Sequence, residues 1–159
     1  MISPRRLLIS LIVASFAAVA GCGGDLSGPK RVRSELEINR DKWLAHGYRD
    51  YTLTMSRLCF CGDVGPFAVT VRSDSVVAAI RTSDGAPSLV TPYLPTVNKL
   101  FDFIQKAIDD NTKTITVTYD AELGFPHEIV YDLAAQALDG GITYNLSNVK
   151  PISTNLVRR

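Results

Sequence analysis

The pattern of apolar residues constrains what this chain can fold into. Two stretches have apolar residues at helical spacing, and each is followed by three stretches in which apolar and polar residues alternate. The clearer helical stretch follows Thr96, where apolar residues recur at i, i+3, i+4 and i+7. These apolar positions are Val97, Leu100, Phe101, Ile104, Ala107 and Ile108. An earlier helix is predicted over 35–46, because Ser34 and Glu37 have the spacing of a capping box.

Alternation of apolar and polar residues predicts six strands, each with one apolar face. The predicted strands lie at 51–56, 67–72, 75–81, 114–119, 127–132 and 142–146. A sheet with one apolar face needs a cover, and the amphipathic helices are the available cover. The order therefore predicts an α+β domain of two α-β-β-β units, in which helices pack on one face of an antiparallel sheet or of two such sheets.

The first 22 residues resemble a bacterial lipoprotein signal. Arg5 and Arg6 precede an apolar run over 7–20, and the small residues Val19-Ala20-Gly21 stand directly before Cys22. A membrane-spanning helix needs about 20 apolar residues, so this run is short for a span and suits the core of a signal peptide. An uncleaved membrane helix and an ordinary signal peptide remain the alternatives.

The resemblance implies that the sulfur of Cys22 carries a lipid and that the mature chain begins there. The predicted organisation is a signal peptide over 1–21, a flexible tether over 22–33, one domain over 34–150 and a tail over 151–159. The predicted location is the outside of a bacterial membrane. In a cell with two membranes it is the periplasmic side of the outer one, since the residue after the cysteine is glycine rather than aspartate.

The charge of the mature chain excludes some classes of partner. Cleavage before Cys22 removes two of the 17 basic residues and none of the 16 acidic ones, which leaves a net charge of −1. A chain without basic excess does not have the electrostatic footprint of a nucleic-acid-binding protein. No glycine-rich phosphate loop, nucleophile elbow or calcium loop occurs. We therefore expect no nucleic-acid partner, no cofactor and no enzymatic activity.

Cys59 and Cys61 are the only cysteines left once Cys22 is lipidated. An even pair in an oxidising compartment suggests a disulfide. In an extended strand, residues i and i+2 have Cα atoms about 6.6 Å apart, whereas a disulfide prefers about 5.5–6 Å, so the bond requires a bend at Phe60. Two reduced, partly buried thiols and a metal site are the alternatives. A structural zinc site usually needs four ligands, and only His46 and His127 offer imidazole, so no metal is expected.

A second candidate site gathers acidic residues and one histidine between residues 120 and 132. Asp120, His127 and Asp132 are its possible core, with Glu122 and Glu128 nearby in sequence. These groups would suit a cation or acid–base chemistry. The alternative is that Asp120 folds a turn by accepting hydrogen bonds from its own backbone, while the other carboxylates are solvated.

The aromatic residues have two possible fates: a ligand groove between helices and sheet, or the core, which is more common. They are Trp43, Tyr48, Tyr51, Tyr93, Phe101, Phe103 and Phe125.

From the early tryptophan onward, the chain resembles a bacterial family of small exported domains of unknown function. The resemblance rests on Trp43, Asp50-Tyr51-Thr52, Cys59 and Cys61, Thr96-Val97, Leu100-Phe101, Tyr119-Asp120, Leu123-Gly124-Phe125-Pro126, Ile129 and Asp132. It covers most of residues 40–148 and implies the fold and export, without an activity.

Three functional hypotheses follow. The first is a lipid-anchored, non-catalytic domain that binds or supports an unknown envelope protein or ligand. The second is a small thiol-redox or metal-handling protein that uses Cys59 and Cys61. The third is an inhibitor, which rests on analogy of fold alone.

Overall fold

The structure, a computed structural model, describes residues 29–110, 114–132 and 141–152. Two α-helices, six β-strands and a short 3-10 helix at Thr91–Tyr93 make up this part of the chain. The elements are α1 (Pro29–Ala45), β1 (Tyr51–Leu58), β2 (Phe67–Arg72), β3 (Ser75–Arg81), α2 (Val97–Asp110), β4 (Thr114–Tyr119), β5 (Pro126–Asp132) and β6 (Ile142–Pro151). None of the helices in these ranges is long and apolar enough to cross a membrane.

All six strands belong to one antiparallel sheet with the order β3-β2-β1-β6-β5-β4. The prediction of an α+β protein with an antiparallel sheet is thus confirmed, and the sheet is single. Each group of three consecutive strands is a meander, and the two meanders join where β1 pairs with β6. That central pairing runs from Tyr51 opposite Pro151 to Leu58 opposite Thr143.

The antiparallel register defines two ends of the sheet, which we call the Tyr51 end and the Leu58 end. The Tyr51 end carries Tyr51 and Pro151, together with the paired residues Tyr119 and Pro126. The Leu58 end carries Leu58 and Thr143 in the centre. Thr114 and Asp132 pair at that same end, on the outer strands.

One hydrophobic core contains residues from both helices and from the sheet. On the sheet, it takes alternate positions of the strands, such as Leu53 and Met55 in β1, while the threonines between them are more exposed. Helix α2 contributes its whole predicted apolar stripe, and every residue of that stripe is buried. Burying this stripe is the main reason that α2 is stable, since apolar burial contributes about 25 cal/mol per Å².

Helix α2 begins where the sequence predicts. The Oγ1 atom of Thr96 accepts a hydrogen bond from the backbone N–H of Lys99 at 3.3 Å, as an N-cap residue does. The N–H of Val97, which no helical carbonyl can reach, donates instead to the hydroxyl of Tyr51 at 3.0 Å. This buried bond ties the start of the helix to the first residue of β1.

Helix α1 begins earlier than predicted, at Pro29 instead of residue 35. A proline in the first turn costs nothing, because its missing N–H has no helical acceptor there. The predicted capping box does not form: the hydroxyl of Ser34 donates to the carbonyl of Arg31 at 2.9 Å, inside the helix. Val32 packs against the core and Arg33 pairs with Asp109 of α2 at 2.7 Å, so tertiary contacts extend the helix.

Residues 29–33, predicted as part of the tether, are therefore helical. The predicted signal peptide over 1–21, the lipidation site Cys22 and the rest of the tether lie outside the described residues. The predicted tail begins at Pro151, the last residue of β6. Its residues 153–159 also lie outside the described part.

Candidate functional site

The cysteine pair occupies the turn that follows β1, at the Leu58 end of the sheet. Cys59 and Cys61 are joined by a disulfide bond, and their Cα atoms are 5.1 Å apart. This distance is well below the roughly 6.6 Å of an extended strand. Strand β1 ends at Leu58, so the chain leaves the extended conformation just before the first cysteine. The bend at Phe60, on which the predicted bond depends, is present.

The loop between β1 and β2 is held by backbone and side-chain hydrogen bonds in addition to the disulfide. The N–H of Arg57 donates to the carbonyl of Val64 at 2.8 Å. Its Nε donates to the carbonyl of Asp63 at 2.9 Å. The loop is thus closed at its base by one arginine, and the disulfide closes its tip.

Asp63 links this loop to the segment that follows β3. Its Oδ2 atom accepts a hydrogen bond from the hydroxyl of Ser88 at 2.8 Å. Its Oδ1 atom lies 3.5 Å from Nε of Arg81, whose guanidinium also pairs with Asp84 at 2.9 Å. The sequence marks Asp63 only as a turn residue. Nothing local in sequence links it to residues 81 and 88, so its role as a connector was missed.

Gly65 allows the same loop to pack closely against the core. Its φ of 88° is in the left-handed region that favours glycine. A Cβ atom there would lie 2.8 Å from the ring of Phe67 and 3.0 Å from the carbonyl oxygen of Met55. Both neighbours are fully buried, so neither can move aside. The loop can therefore reach β2 only through a glycine.

The tip of the loop presents large apolar side chains to solvent. Phe60 is 88% exposed and Leu58 is 70% exposed. Leu89, which follows the Ser88 that binds the loop, is 89% exposed. An open depression of about 400 Å³ is lined by the four residues from Cys59 to Gly62. Phe60 and Leu58, beside the disulfide, form what we call the apolar tip, a surface suited to contact with another surface.

The predicted polar site at 120–132 does not assemble. The Oδ1 atom of Asp120 accepts hydrogen bonds from the backbone N–H groups of Leu123 at 2.7 Å and Glu122 at 3.0 Å. These bonds form the turn between β4 and β5, as the structural alternative anticipates. The carboxylate is thus occupied by its own backbone.

His127 and Asp132 lie far from each other on β5 and both are exposed. They are five residues apart, which in a strand corresponds to about 16 Å. Asp132 pairs with Thr114 at the Leu58 end, whereas His127 follows Pro126 at the Tyr51 end. Among the described residues, no group of three or more metal-binding side chains comes together. The three residues therefore form no common site.

A polar groove lies at the Tyr51 end, near Asp50. It has a volume of about 490 Å³ and is lined by Gly47, Tyr48, Arg49, Asp50, Ser73, Pro151 and Ile152. Asp50 accepts hydrogen bonds from the N–H of Ser73 and from Arg72, both at 3.0 Å. These bonds, the one from Ser73 first, hold the pKa of the Asp50 carboxyl below its usual range. The carboxylate is used to lock the turn between β2 and β3.

Most of the aromatic residues pack in the core instead of lining a groove. Trp43 is buried, with its ring edge-on to Tyr51 at 5.3 Å and to Phe125 at 6.5 Å. Its Nε1 donates to Asn98 of α2 at 3.0 Å. Tyr93 is the exception, since it is largely exposed.

Two tyrosines, buried Tyr51 and partly buried Tyr119, differ in how their buried hydroxyl groups are satisfied. Burial raises the pKa of Tyr51 to about 12, although its hydroxyl accepts the N–H of Val97. Burial also raises the pKa of Tyr119, with Glu35 adding to the shift. Within the described part of the chain, the hydroxyl of Tyr119 has no hydrogen-bond partner.

A family model described as a family of unknown function (DUF6174) matches residues 35–151. The chain belongs to this family, which confirms the predicted resemblance to a family of unknown function. No curated protein matches the chain.

Proposed function

We propose that this protein is an exported bacterial lipoprotein whose domain binds or supports a partner at the cell envelope without catalysing a reaction. The observation that carries the proposal is the apolar run over 7–20, followed by small residues directly before Cys22, which resembles a lipoprotein signal. The acyl chains of a lipoprotein bury many methylene groups, and each contributes about 0.8 kcal/mol to membrane binding. In a cell with two membranes, the domain faces the periplasm from the outer membrane.

The disulfide and the exposed loop support this proposal. A bond between Cys59 and Cys61 agrees with an oxidising compartment outside the cytoplasm. The apolar tip at Phe60 and Leu58 is an exposed surface suited to contact with another surface, as expected of a domain that works by binding. The element order, in which a helix and three strands occur twice, agrees with two α-β-β-β units.

Replacing Cys22→Ser tests the anchor. We expect the variant to stay unprocessed or to become soluble, because serine cannot receive the lipid. The matched control is the double variant Cys59→Ser and Cys61→Ser, which removes thiols without touching the anchor and should remain in the membrane fraction. A Cys22→Ser chain that is cleaved normally and still fractionates with membranes would contradict the proposal.

The second candidate is a thiol-redox function of the same cysteines, favoured by their position in an exposed turn. The disulfide would accept two electrons from a partner dithiol, which would itself become a disulfide while Cys59 and Cys61 became thiols. Titration of the thiols that form in the purified protein as the concentration of a dithiol is raised separates the two candidates. A redox protein would exchange with a dithiol partner at a low concentration, whereas a binding module would not.

A further inference from the structure

The end of the sheet at which the anchor emerges can be located from contacts between the two helices. Arg33, near the start of α1, pairs with Asp109 at the end of α2 at 2.7 Å. Four residues after α2 ends, β4 begins at Thr114, at the Leu58 end. The start of α1 therefore lies at the Leu58 end.

The other end of α1 confirms this direction. Lys42 donates to the carbonyl of Ala121 at 2.9 Å, in the turn between β4 and β5 at the Tyr51 end. Trp43 lies against Tyr51 itself. Helix α1 thus runs from the Leu58 end to the Tyr51 end, and its first residue, Pro29, lies at the Leu58 end.

The chain between the lipidation site and the helix is short. Six residues separate Cys22 from Pro29. Even fully extended, this segment spans only about 25 Å. The start of α1, at the Leu58 end, is therefore held within that distance of the bilayer when Cys22 carries its lipid.

The same end carries the apolar tip. The residues from Leu58 to Gly62 include no charged side chain. Asp63, the acidic residue of the loop, is bound to Ser88 and Arg81 and its side chain is only 20% exposed. Aromatic and leucine side chains insert favourably into a membrane interface. The tip has no unpaired carboxylate that an anionic lipid surface would repel.

We propose that the Leu58 end faces the bilayer that holds the anchor, and that Phe60 and Leu58 enter its interface as a second membrane contact. The proposal rests on the proposed lipid anchor at Cys22. The contact fixes the orientation of the domain and leaves the Tyr51 end, with its polar groove, directed away from the membrane. The partner surface of an anchored module would then be that distal end.

The experiment uses the full, processed chain in vesicles of phosphatidylethanolamine and phosphatidylglycerol that contain brominated acyl chains. The variant Phe60→Trp places an indole at the tip, while the native Trp43 is only 1% exposed and serves as a common background. The matched control is Val77→Trp, at an exposed apolar position of β3 near the Tyr51 end. Flotation of the vesicles measures whether the chain is anchored.

We expect brominated acyl chains to quench part of the emission of Phe60→Trp and the emission of its new indole to be shifted to the blue, while the emission of Val77→Trp is the same in brominated and unbrominated vesicles. A chain that floats but whose two variants are quenched equally by brominated lipid would overturn the orientation and leave the anchor in place. A Phe60→Trp indole shielded from iodide in native membranes, yet not quenched by brominated lipid, would assign the tip to a protein partner and also overturn it. A chain that does not float would contradict the proposed function itself.

Discussion

Two tyrosine hydroxyls in the core are in opposite situations. The hydroxyl of Tyr51 accepts the first N–H of α2, whereas that of Tyr119 has no hydrogen-bond partner in the described part of the chain. A buried polar group without a partner costs about 1–3 kcal/mol, while a satisfied one stabilises the fold modestly. The two residues therefore offer a direct test of which contacts stabilise the core.

We expect Tyr51→Phe to lower the free energy of unfolding by about 1–3 kcal/mol, because the buried N–H of Val97 loses its acceptor. We expect Tyr119→Phe to be neutral or to stabilise the protein by up to about 1 kcal/mol, since it removes an unsatisfied group. Urea unfolding of both variants measures the difference. Equal losses in the two would contradict the hydrogen-bond assignment.

The cysteine pair should be a local constraint that the fold does not depend on. A loop of one residue restricts the unfolded chain very little. The bonds of Arg57 and Asp63 hold the base of the loop without it. The double variant Cys59→Ser and Cys61→Ser should therefore fold with little loss of stability in thermal unfolding. Unfolding of the whole domain on reduction, or stoichiometric zinc in the purified protein, would favour a structural or metal-binding role instead.

At the scale of elements, what is local in sequence was predictable and what depends on distant contacts was not. The stripe of α2 and the alternation of the strands are local patterns, and the structure follows them except in β6, which continues beyond its predicted end at residue 146 to Pro151. The first turns of α1 carry no apolar stripe, so the contacts of Val32 and Arg33 with the core and α2 decide where it begins. The single sheet depends on the pairing of β1 with β6, which no local pattern encodes.

The candidate site could be predicted only in part, because some of its contacts are local in sequence and others are not. The cysteine spacing marks a bend, and Asp120 has the spacing of a turn residue, so both were visible in the sequence. The grouping of Asp120 with Asp132 failed, because Asp120 lies in the turn before β5 and Asp132 lies at the far end of that strand. The connection of Asp63 to Ser88 could not be predicted, because it joins two loops that are distant in sequence and adjacent in space.

Removing the Phe101 ring tests whether α2 is stabilised by its buried stripe. Phe101 is 1% exposed and its ring stacks on that of Tyr119. Phe101→Ala should cost about 3–5 kcal/mol, as for other large buried aromatics. Phe60→Ala is the matched control, and at an exposed site it should change stability by less than about 0.5 kcal/mol. A loss below about 1 kcal/mol for Phe101→Ala would show that this face of α2 contributes little.

The whole molecule has two ends with different chemistry. The Leu58 end has the apolar tip and the start of α1, seven residues after Cys22. The Tyr51 end has the polar groove with Arg49 and Asp50. An anchored domain with such ends would be oriented by the membrane and would meet its partner at the distal end. This account depends on the lipid at Cys22.

The mass of the N-terminal peptide of the mature protein tests that claim most directly. The protein is purified from membranes, digested, and its N-terminal peptide is measured by mass spectrometry. We expect the peptide to begin at Cys22 and to carry a diacylglyceryl group on the sulfur, with a further acyl chain on the amine. A peptide that begins at Met1, one that begins after Cys22, or one that contains an unmodified Cys22 would contradict the account.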